Sequence, residues 1–456
     1  MKIASTSPHA PSDIIIEVEQ TTTEQLTAII SSARTAQEAW WKLGAAGRAN
    51  ALTQAADALA AKSADAAALI TREVGKPAVE AAGEVGRAVA ILRYYAQASF
   101  GSQGDVFPPS LQGFLWSERR PHGVAGLITP WNFPMAIPLW KSAPALAAGN
   151  AVVIKPSPDA IAGALFVADI LNQFLPTGLF NVVIGGAELG AALVQSVDVV
   201  SFTGSSAVGK QVAIAATSRG IPVQAEMGGQ NPAIVLPDAD VETTANQLVS
   251  ASMWFAGQKC TCTRRIITVG KNQSLIDALV AKVNALGVGD PSDKANLVGP
   301  LINLASVAKF EAALASAKAI GAQILAGGSV QAGTQYVAPT VLAGVAADHP
   351  LSCEEVFGPL VTIHEVATLD EAIALANVVP YGLAASIHGK DHDSLMKASK
   401  QLHAGMIKIN AGTTGVDFYA PFGGEKDSSI GMREQGTVAL QFYSTTRTVT
   451  YAPHQS

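Results

Sequence analysis

Apolar positions in the first part of the chain recur at helical spacing. Leu26, Ile29, Ile30 and Ala33 share one face, as do Leu52, Ala55, Leu59 and Ala60. The alanine-rich texture favours helix across the whole stretch from Thr23 to Ser99. The period then changes. "GFLWSERR", which ends at Pro121, reads as β structure. Beyond it, short apolar runs alternate with helical segments. "VAGLIT" (124–129) is a strand followed by "PWNFP", and a helix covers 137–148. "AVVIKP" is the next strand, with a helix over 159–174. "FNVVIG", a helix around Leu189, "VDVVSFTG" and a helix from Ser206 continue the alternation. A second block opens near Asn231 with the strand "PAIVL", a helix over 238–256 and the strand "RRIITVG"; α/β alternation then runs to Ile409. The final "QFYSTTRTVTYA" alternates polar residues with β-formers and predicts a sheet-edge strand. Apolar strands alternating with helices predict parallel, doubly wound sheets, whose strand ends are the usual home of nucleotides.

Composition narrows the picture. With 456 residues, 49% of them hydrophobic, the chain is expected to form two or three domains. A charged fraction of 14% and a net charge of -6 exclude a disordered chain and a basic nucleic-acid surface. No apolar run reaches the roughly 18 residues of a membrane span. "MKIASTSPHAPSD" lacks the basic-then-apolar order of a secretory signal. With three cysteines and no export signal, a reduced, cytoplasmic protein is expected, with neither nucleic acid nor membrane as partner.

Two of those cysteines, Cys260 and Cys262, stand in "FAGQKCTCTRRI". A structural metal site wants about four Cys or His ligands in close pairs. Here there is one Cys-x-Cys, a distant Cys353 and no nearby His, so no metal is expected. Two inert core thiols remain an alternative, although the polar, glycine-led "GQKC" is unusual for a core segment.

Other motifs carry chemistry and a plainer reading side by side. "SFTGSSAVGKQ" spaces Gly204, Gly209 and Lys210 like a phosphate-cradling loop, but Gln211 replaces the Ser or Thr that holds magnesium. The strand–glycine–helix order still offers amides and a helix dipole to an anion, or serves only the turn. In "TPWNFP", at a strand end, Asn132 is a turn residue or an amide donor for a developing oxyanion. Lys155 in "VIKPS" either reaches a ribose or phosphate or lies in solvent. Glu226 in "AEMGGQNP" sits on an apolar strand before two glycines. Desolvation there would raise its pKa and suit a general base; the alternative is an ion-paired glutamate.

"TPWNFP", "VIKPS", "SFTGS", "EMGG", "FAGQKC", "EEVFGP" and "PFGGEK" stand in the order and spacing of the NAD(P)-dependent aldehyde dehydrogenases. The chain resembles that family from its N-terminal helices to its final strand. Its ending resembles the α-ketoglutaric semialdehyde and succinic semialdehyde dehydrogenase-like branch. The resemblance implies an α/β fold: a Rossmann-type cofactor domain (1–108 and 122–228), an α/β catalytic domain (229–421) and a small β oligomerisation arm (109–121 and 437–456), with 422–436 as a returning segment. A homodimer or homotetramer is implied. The resemblance makes Cys260 the nucleophile, Cys262 a bystander, Glu226 the general base and Asn132 the oxyanion donor. It assigns cofactor contacts to Thr129, Trp131, Lys155, Ser157, Pro158, Gly204, Ser205, Gly209, Met227, Glu355 and Phe357.

The reaction so implied is oxidation of an aldehyde to an acid. A thiolate forms a thiohemiacetal, hydride leaves for nicotinamide, and Glu226 activates water to release the thioester. Glu226 favours water over coenzyme A as acceptor. Phe133, Trp140 and Trp254 are expected to line the substrate pocket. Succinic semialdehyde dehydrogenases often carry arginine at the positions of Trp140 and Trp254, so apolar or aromatic aldehydes are expected here. A semialdehyde would depend on another cation. Pro158 occupies the place where NAD-preferring members put a glutamate, so NADP is favoured, with NAD a weaker substitute. Two alternatives are a cofactor-independent cysteine hydrolase, which needs a His partner, and a non-catalytic relative, against which Cys260, Glu226 and Asn132 argue.

Overall fold

The computed structural model describes residues 2–101 and 103–453. Met1, Ser102 and the last three positions of the expected C-terminal arm lie outside the described residues. Two parallel sheets organise the chain. The first has six strands in the spatial order Ser429–Ile430, Val223–Glu226, Val199–Thr203, Val124–Ile128, Ala151–Lys155 and Phe180–Val182. All run parallel except Ser429–Ile430, which pairs antiparallel with Val223–Glu226. The central strands are buried along their whole length, as apolar runs flanked by helices require. After Phe180–Val182 the chain returns to the other side of Val124–Ile128. A topological switch point therefore opens between that strand and Val199–Thr203, where such sheets bind ligands.

The second sheet has seven strands: Gln323–Ala326, Thr340–Ala343, Leu360–Val366, Thr263–Val269, Asn231–Val235, Ala384–His388 and Met406–Ile409. Only Gln323–Ala326 runs antiparallel to its neighbour. Residues 227–230 lead directly from the first sheet to the second, so Glu226 ends a strand of one and Asn231 begins a strand of the other; the chain returns to the first sheet at Ser429–Ile430.

The expected helical stretch from Thr23 to Ser99 is four helices, Thr23–Lys42, Gly44–Ala61, Ser63–Val74 and Ala78–Ala98. Pro77 cannot continue the third helix and stands as the N-cap of the fourth. Their apolar faces cover the first sheet, and the buried Trp40 donates its indole N–H to the Leu146 carbonyl at 2.8 Å. A hairpin of Lys2–Thr6 and Ile14–Glu19 precedes them and was not foreseen. The helix expected over 159–174 begins as a 3-10 turn, Pro158–Ala160, and its α portion is Ile161–Leu171. The C-terminal segment divides into a short helix, Val438–Phe442, and a strand, Ser444–Tyr451. That strand pairs with Phe114–Pro121, and Val106–Phe107 completes a three-stranded sheet.

Arg265 is fully buried and ties the second sheet to its helical cover. Its guanidinium donates to the carbonyls of Gln230 at 3.1 Å, and of Leu375 and Ala376 at 2.8 Å each. Arg265→Met is expected to leave these acceptors unpaired and cost about 3 kcal/mol. Arg265→Lys, which lacks the fork, should recover little. A urea titration measures both; an unshifted midpoint for the methionine variant would show the contacts to be dispensable.

Candidate active site

The site forms where the C-terminal ends of the first sheet face the N-terminal ends of the second. Glu226 arrives on the last residue of its strand. Cys260 lies just before Thr263–Val269, the strand paired with Asn231–Val235. The helix expected through 256 stops at Met253 because the chain reverses: Phe255, Ala256 and Gly257 have φ of 55°, 51° and 65°. Left-handed backbone costs a side-chain-bearing residue on the order of 1 kcal/mol or more, so this loop needs external support. Asn231 Nδ2 donates to the carbonyls of Cys260 and Cys262, both at 2.8 Å. Arg264 donates to the Gly358 and Gly257 carbonyls at 2.7 and 2.6 Å. Gln258 donates to the Pro300 carbonyl at 3.1 Å and accepts from the Ile302 N–H at 2.9 Å. A Cβ at Gly257 would strike the Gly358 carbonyl.

All three cysteines are free. Cys262 is wholly buried, while Cys260 keeps an opening to a cavity. Burial pushes the Cys260 thiol well above its usual range, and the negative charges of Glu355 and Glu226 add to the shift. Glu226 is raised well above the ordinary carboxyl range, chiefly by burial and next by Glu434, against the Ser429 hydrogen bond and the fields of Lys141 and Arg433. Its Oε2 accepts from Ser429 Oγ at 2.5 Å, and its Oε1 is buried without a partner among the described residues. The desolvation expected of this carboxylate is present. Asn132 is buried and donates through Nδ2 to the Gln258 carbonyl at 3.0 Å. That bond fixes its amide beside the cysteine loop and leaves the second N–H of the group for another acceptor.

Glu434 supports this arrangement and was missed in the sequence. It is buried, accepts from Trp140 Nε1 at 2.8 Å and Ser201 Oγ at 3.1 Å, and pairs with Lys141. Asn231, Gln258 and Arg264 were also missed. Each is a polar residue inside or beside a quoted motif, but only the fold shows that it is buried and bonded to the loop.

At the switch point of the first sheet, Thr129 and Trp131 follow one strand, and Gly204 and Ser205 follow its neighbour. Ser205 is the exposed N-cap of helix Ser206–Ser218 and makes no side-chain cap bond, so that helix end is open to an anion. Thr129 Oγ1 is buried without a partner among the described residues. Lys155 is buried and, among the described residues, bonds only to the Pro156 and Gly185 carbonyls, each at 3.1 Å; burial lowers its pKa to about 8. Ser157 does not stand free. Its Oγ caps Pro158–Ala160 and lies 3.4 Å from Asp159 Oδ2, while Pro158 is exposed. Gly209 serves packing, since a Cβ there would meet the Met227 sulfur at 2.6 Å. Lys210 is engaged with Asp427 at 2.8 Å, on the surface.

Glu355 reaches the same groove from the second sheet. Its pKa is pushed up to about 7, mainly by burial and against the nearby Arg264, and its Oε1 has no hydrogen-bond partner among the described residues. Gly228 lets it approach, because any Cβ there would collide with Glu355 Oε2. Phe357 has φ 57° and meets Trp131 edge-on at 5.7 Å. Among the described residues, a Glu355 oxygen paired only with Arg264 at 3.7 Å, a Thr129 hydroxyl without a hydrogen bond, a buried lysine bonded to carbonyls and an open helix N-terminus suit a polar, anionic ligand carrying hydroxyls.

A cavity of about 350 Å³ opens on the other side of Cys260. Phe133, Trp140 and Trp254 line it, as expected. Trp140 packs on Phe422 with ring centroids 5.6 Å apart. No local pattern of residues indicated that helix Ala78–Ala98 also faces this space, with Glu80, Glu84 and Arg87. No group of three or more His, Cys, Asp or Glu among the described residues is placed to hold a metal ion.

Residues 1–449 match the model of the "Aldehyde dehydrogenase family". The chain is 37% identical to an alpha-ketoglutaric semialdehyde dehydrogenase of Bacillus subtilis, over 98% of this chain and 94% of that one. It is also 37% identical to an alpha-ketoglutarate semialdehyde dehydrogenase of Haloferax volcanii, covering 97% and 94%. Its fold is similar to the crystal structure of an NAD-dependent aldehyde dehydrogenase from Sinorhizobium meliloti, with a TM-score of 0.96, 29% identity and coverage of 100% and 93%.

The raised Cys260 pKa gives a directional test. Thiolate is the reactive form, so alkylation by iodoacetamide in the cofactor-free protein should be slower at pH 7 than for a small-molecule thiol. The rate should still be climbing above pH 9. Peptide mass spectrometry follows each cysteine separately, and Cys262 should stay unlabelled while the fold holds. Rapid Cys260 labelling at pH 7 with no further rise would show that the thiol is already ionised.

Proposed function

This chain belongs to the aldehyde dehydrogenase family, and we propose that its substrate is an aldehyde carrying a distal carboxylate, a semialdehyde. It is an NAD(P)-dependent aldehyde dehydrogenase, oxidising an aldehyde to a carboxylic acid with a nicotinamide cofactor. The observation that carries the site assignment is Cys260 at the meeting of two spaces, an aromatic cavity and the switch-point groove, with unpartnered Glu226 Oε1 nearby in the same seam. The substrate class is supported by two semialdehyde dehydrogenases at 37% identity. The expectation of an apolar or aromatic aldehyde rested on Trp140 and Trp254; the cavity is also lined by three cations, one of them, Arg87, on a helix remote in sequence.

In this reading the Cys260 sulfur attacks the aldehyde carbon, forming a C–S bond. A carboxylate with Glu226's raised proton affinity takes the thiol proton and releases it to solvent before the hydrolytic step, which returns Glu226 to its basic form. The carbonyl oxygen becomes an oxyanion that accepts from the Asn132 amide, a contact worth roughly 3 kcal/mol in comparable sites. When bound, the nicotinamide supplies the hydride acceptor that converts the adduct to a thioester. Glu226 then draws a proton from water, the hydroxyl adds to the thioester carbon, and the C–S bond breaks to free the acid and Cys260. Glu355 would take the nicotinamide ribose hydroxyls through its Oε1, which makes no hydrogen bond among the described residues, and Phe357 and Trp131 would hold the ring. Lys155 would meet the adenosine ribose, with Thr129, Gly204 and Ser205 about the pyrophosphate, while Gly209 and Met227 would shape that wall.

The cofactor domain comprises 1–108 and 122–228 around the six-stranded sheet, and the catalytic domain comprises 229–421. The three-stranded sheet, which draws Val106–Phe107 out of the 1–108 segment and so begins the arm a few residues before 109, is an oligomerisation arm of a homodimer or homotetramer, supported by exposed Val106, Phe114 and Tyr451 on its strands. Three free thiols suit a reducing, cytoplasmic setting. No helix among the described residues is long and apolar enough to cross a membrane.

Cys260→Ala is expected to abolish aldehyde-dependent cofactor reduction, with Cys262→Ala retaining most of it. Glu226→Gln should slow turnover while keeping a pre-steady-state burst of reduced cofactor. Inactivation by the Cys262 change, or loss of the Glu226→Gln burst at unaltered cofactor affinity, would reassign these roles.

NADP is favoured over NAD. A glutamate at position 158 would repel a 2'-phosphate by about 1 kcal/mol or more, whereas Pro158 does not. With Ser157 tied to its own turn, the attraction falls on Lys155. Comparing kcat/KM for both cofactors should show NADP ahead, and Pro158→Glu should move the preference toward NAD. Strong NAD preference in the wild type, or no shift in the variant, would contradict this assignment.

A further inference from the structure

We infer that Arg87 is the specificity-determining cation of the substrate cavity, holding the distal carboxylate of the semialdehyde; this rests on the semialdehyde reading above. Helix Ala78–Ala98 turns one face to the cavity, because Glu80, Gly83, Glu84 and Arg87 are spaced three and four residues apart. Three cations line the space: Lys76, Arg87 and Lys259. Two are already engaged. Lys76 is fully buried, pairs with Glu84 and lies 3.7 Å from the Phe133 ring centroid. Lys259 pairs with Glu80. Both carboxylates of the lining are thereby matched, and the third cation is left over.

Arg87 makes no hydrogen bond or ion pair among the described residues. The opposite charges felt there are Asp417 and Glu84, with Lys408 a like charge on the same side. Asp417 stands outside the lining and Glu84 is held by Lys76. Glu84 also accepts from the backbone N–H groups of Met135 and Ala136, each at 3.0 Å, which keeps it from turning to Arg87. A half-buried guanidinium with five donors and no bound acceptor is a receptor for a planar oxyanion. There is room for one: a Cβ at Gly83, one turn before Arg87, would meet nothing within 4 Å. The aromatic part of the lining, Phe133, Trp140, Trp254 and Phe422, encloses the carbon chain between the thiol and the guanidinium. The substrate class that fits is an ω-oxo carboxylate, aldehyde at Cys260 and carboxylate at Arg87. A 2-oxo group next to that carboxylate would lie in the plane of the fork.

The test is steady-state kinetics of the full-length enzyme with its nicotinamide cofactor on α-ketoglutaric semialdehyde, succinic semialdehyde and neutral butanal. Wild type should prefer the semialdehydes. Arg87→Met should raise KM for both by roughly 10- to 100-fold, the loss expected for one charged hydrogen-bonded pair. Its kcat should stay within a few-fold, and its constants for butanal should be unchanged, which also verifies folding. Arg87→Lys should recover part of the semialdehyde KM. If wild type prefers the semialdehydes and Arg87→Met keeps that preference, the assignment to Arg87 is overturned and the semialdehyde reading survives. If wild type does not distinguish butanal from the semialdehydes, both are overturned. A parallel loss on all three substrates would mark Arg87 as structural and also overturn the inference.

Discussion

Glu434 is a charge buried where water cannot reach it, and the active-site seam is assembled around satisfying it. Lys141 supplies the countercharge, and Trp140 and Ser201 supply donors. These partners come from a helix and a strand of the first sheet, whereas Glu434 comes from the returning segment. Its backbone pairs with Phe422, a lining residue of the substrate cavity. Removing one partner of a buried pair leaves an uncompensated charge and costs several kcal/mol. The returning segment is thus locked to the sheet at the point where Ser429 bonds to Glu226. The Glu434 charge also acts at a distance, raising Glu226 and, more weakly, Cys260.

The same burial that raises these pKa values is what the chemistry needs. A thiol and a carboxyl group with raised proton affinities can exchange protons at neutral pH without either being permanently charged. Asn132, the oxyanion donor in the proposed mechanism, is held by the Gln258 carbonyl in a setting where a hydrogen bond is stronger than in water. The cost appears as left-handed backbone at Phe255 and Ala256 and as unpartnered oxygens on Glu226 and Glu355. Such irregularities persist only where surrounding bonds fix the geometry, here those of Asn231, Gln258 and Arg264.

Substrate recognition follows another logic. The walls nearest Cys260 are aromatic and indifferent to charge. Selectivity then rests on which cation is unspent. Two lysines of the lining are neutralised by two glutamates of one helix, which leaves Arg87 as the feature able to distinguish an acidic aldehyde from a neutral one.

The sequence alone determined the alternation of strands and helices, since buried parallel strands must be continuously apolar. It also singled out, through the family resemblance, candidates that stand in local motifs: Cys260 after "GQK", Glu226 before two glycines, Asn132 and Lys155 at strand ends. It also marked Phe133, Trp140 and Trp254 as pocket walls. It did not reveal the breaks in the N-terminal helices, which an alanine-rich composition conceals, or the hairpin before them. The left-handed turn at 255–257 was hidden inside a helical pattern, because what reverses the chain there is a set of bonds from residues distant in sequence. Tertiary structure alone decided that Glu434 reaches Lys141 across 293 positions and that Arg87 faces the same cavity as Cys260. These depend on long-range closure, and a local pattern of apolar and polar residues carries no information about which charges will meet.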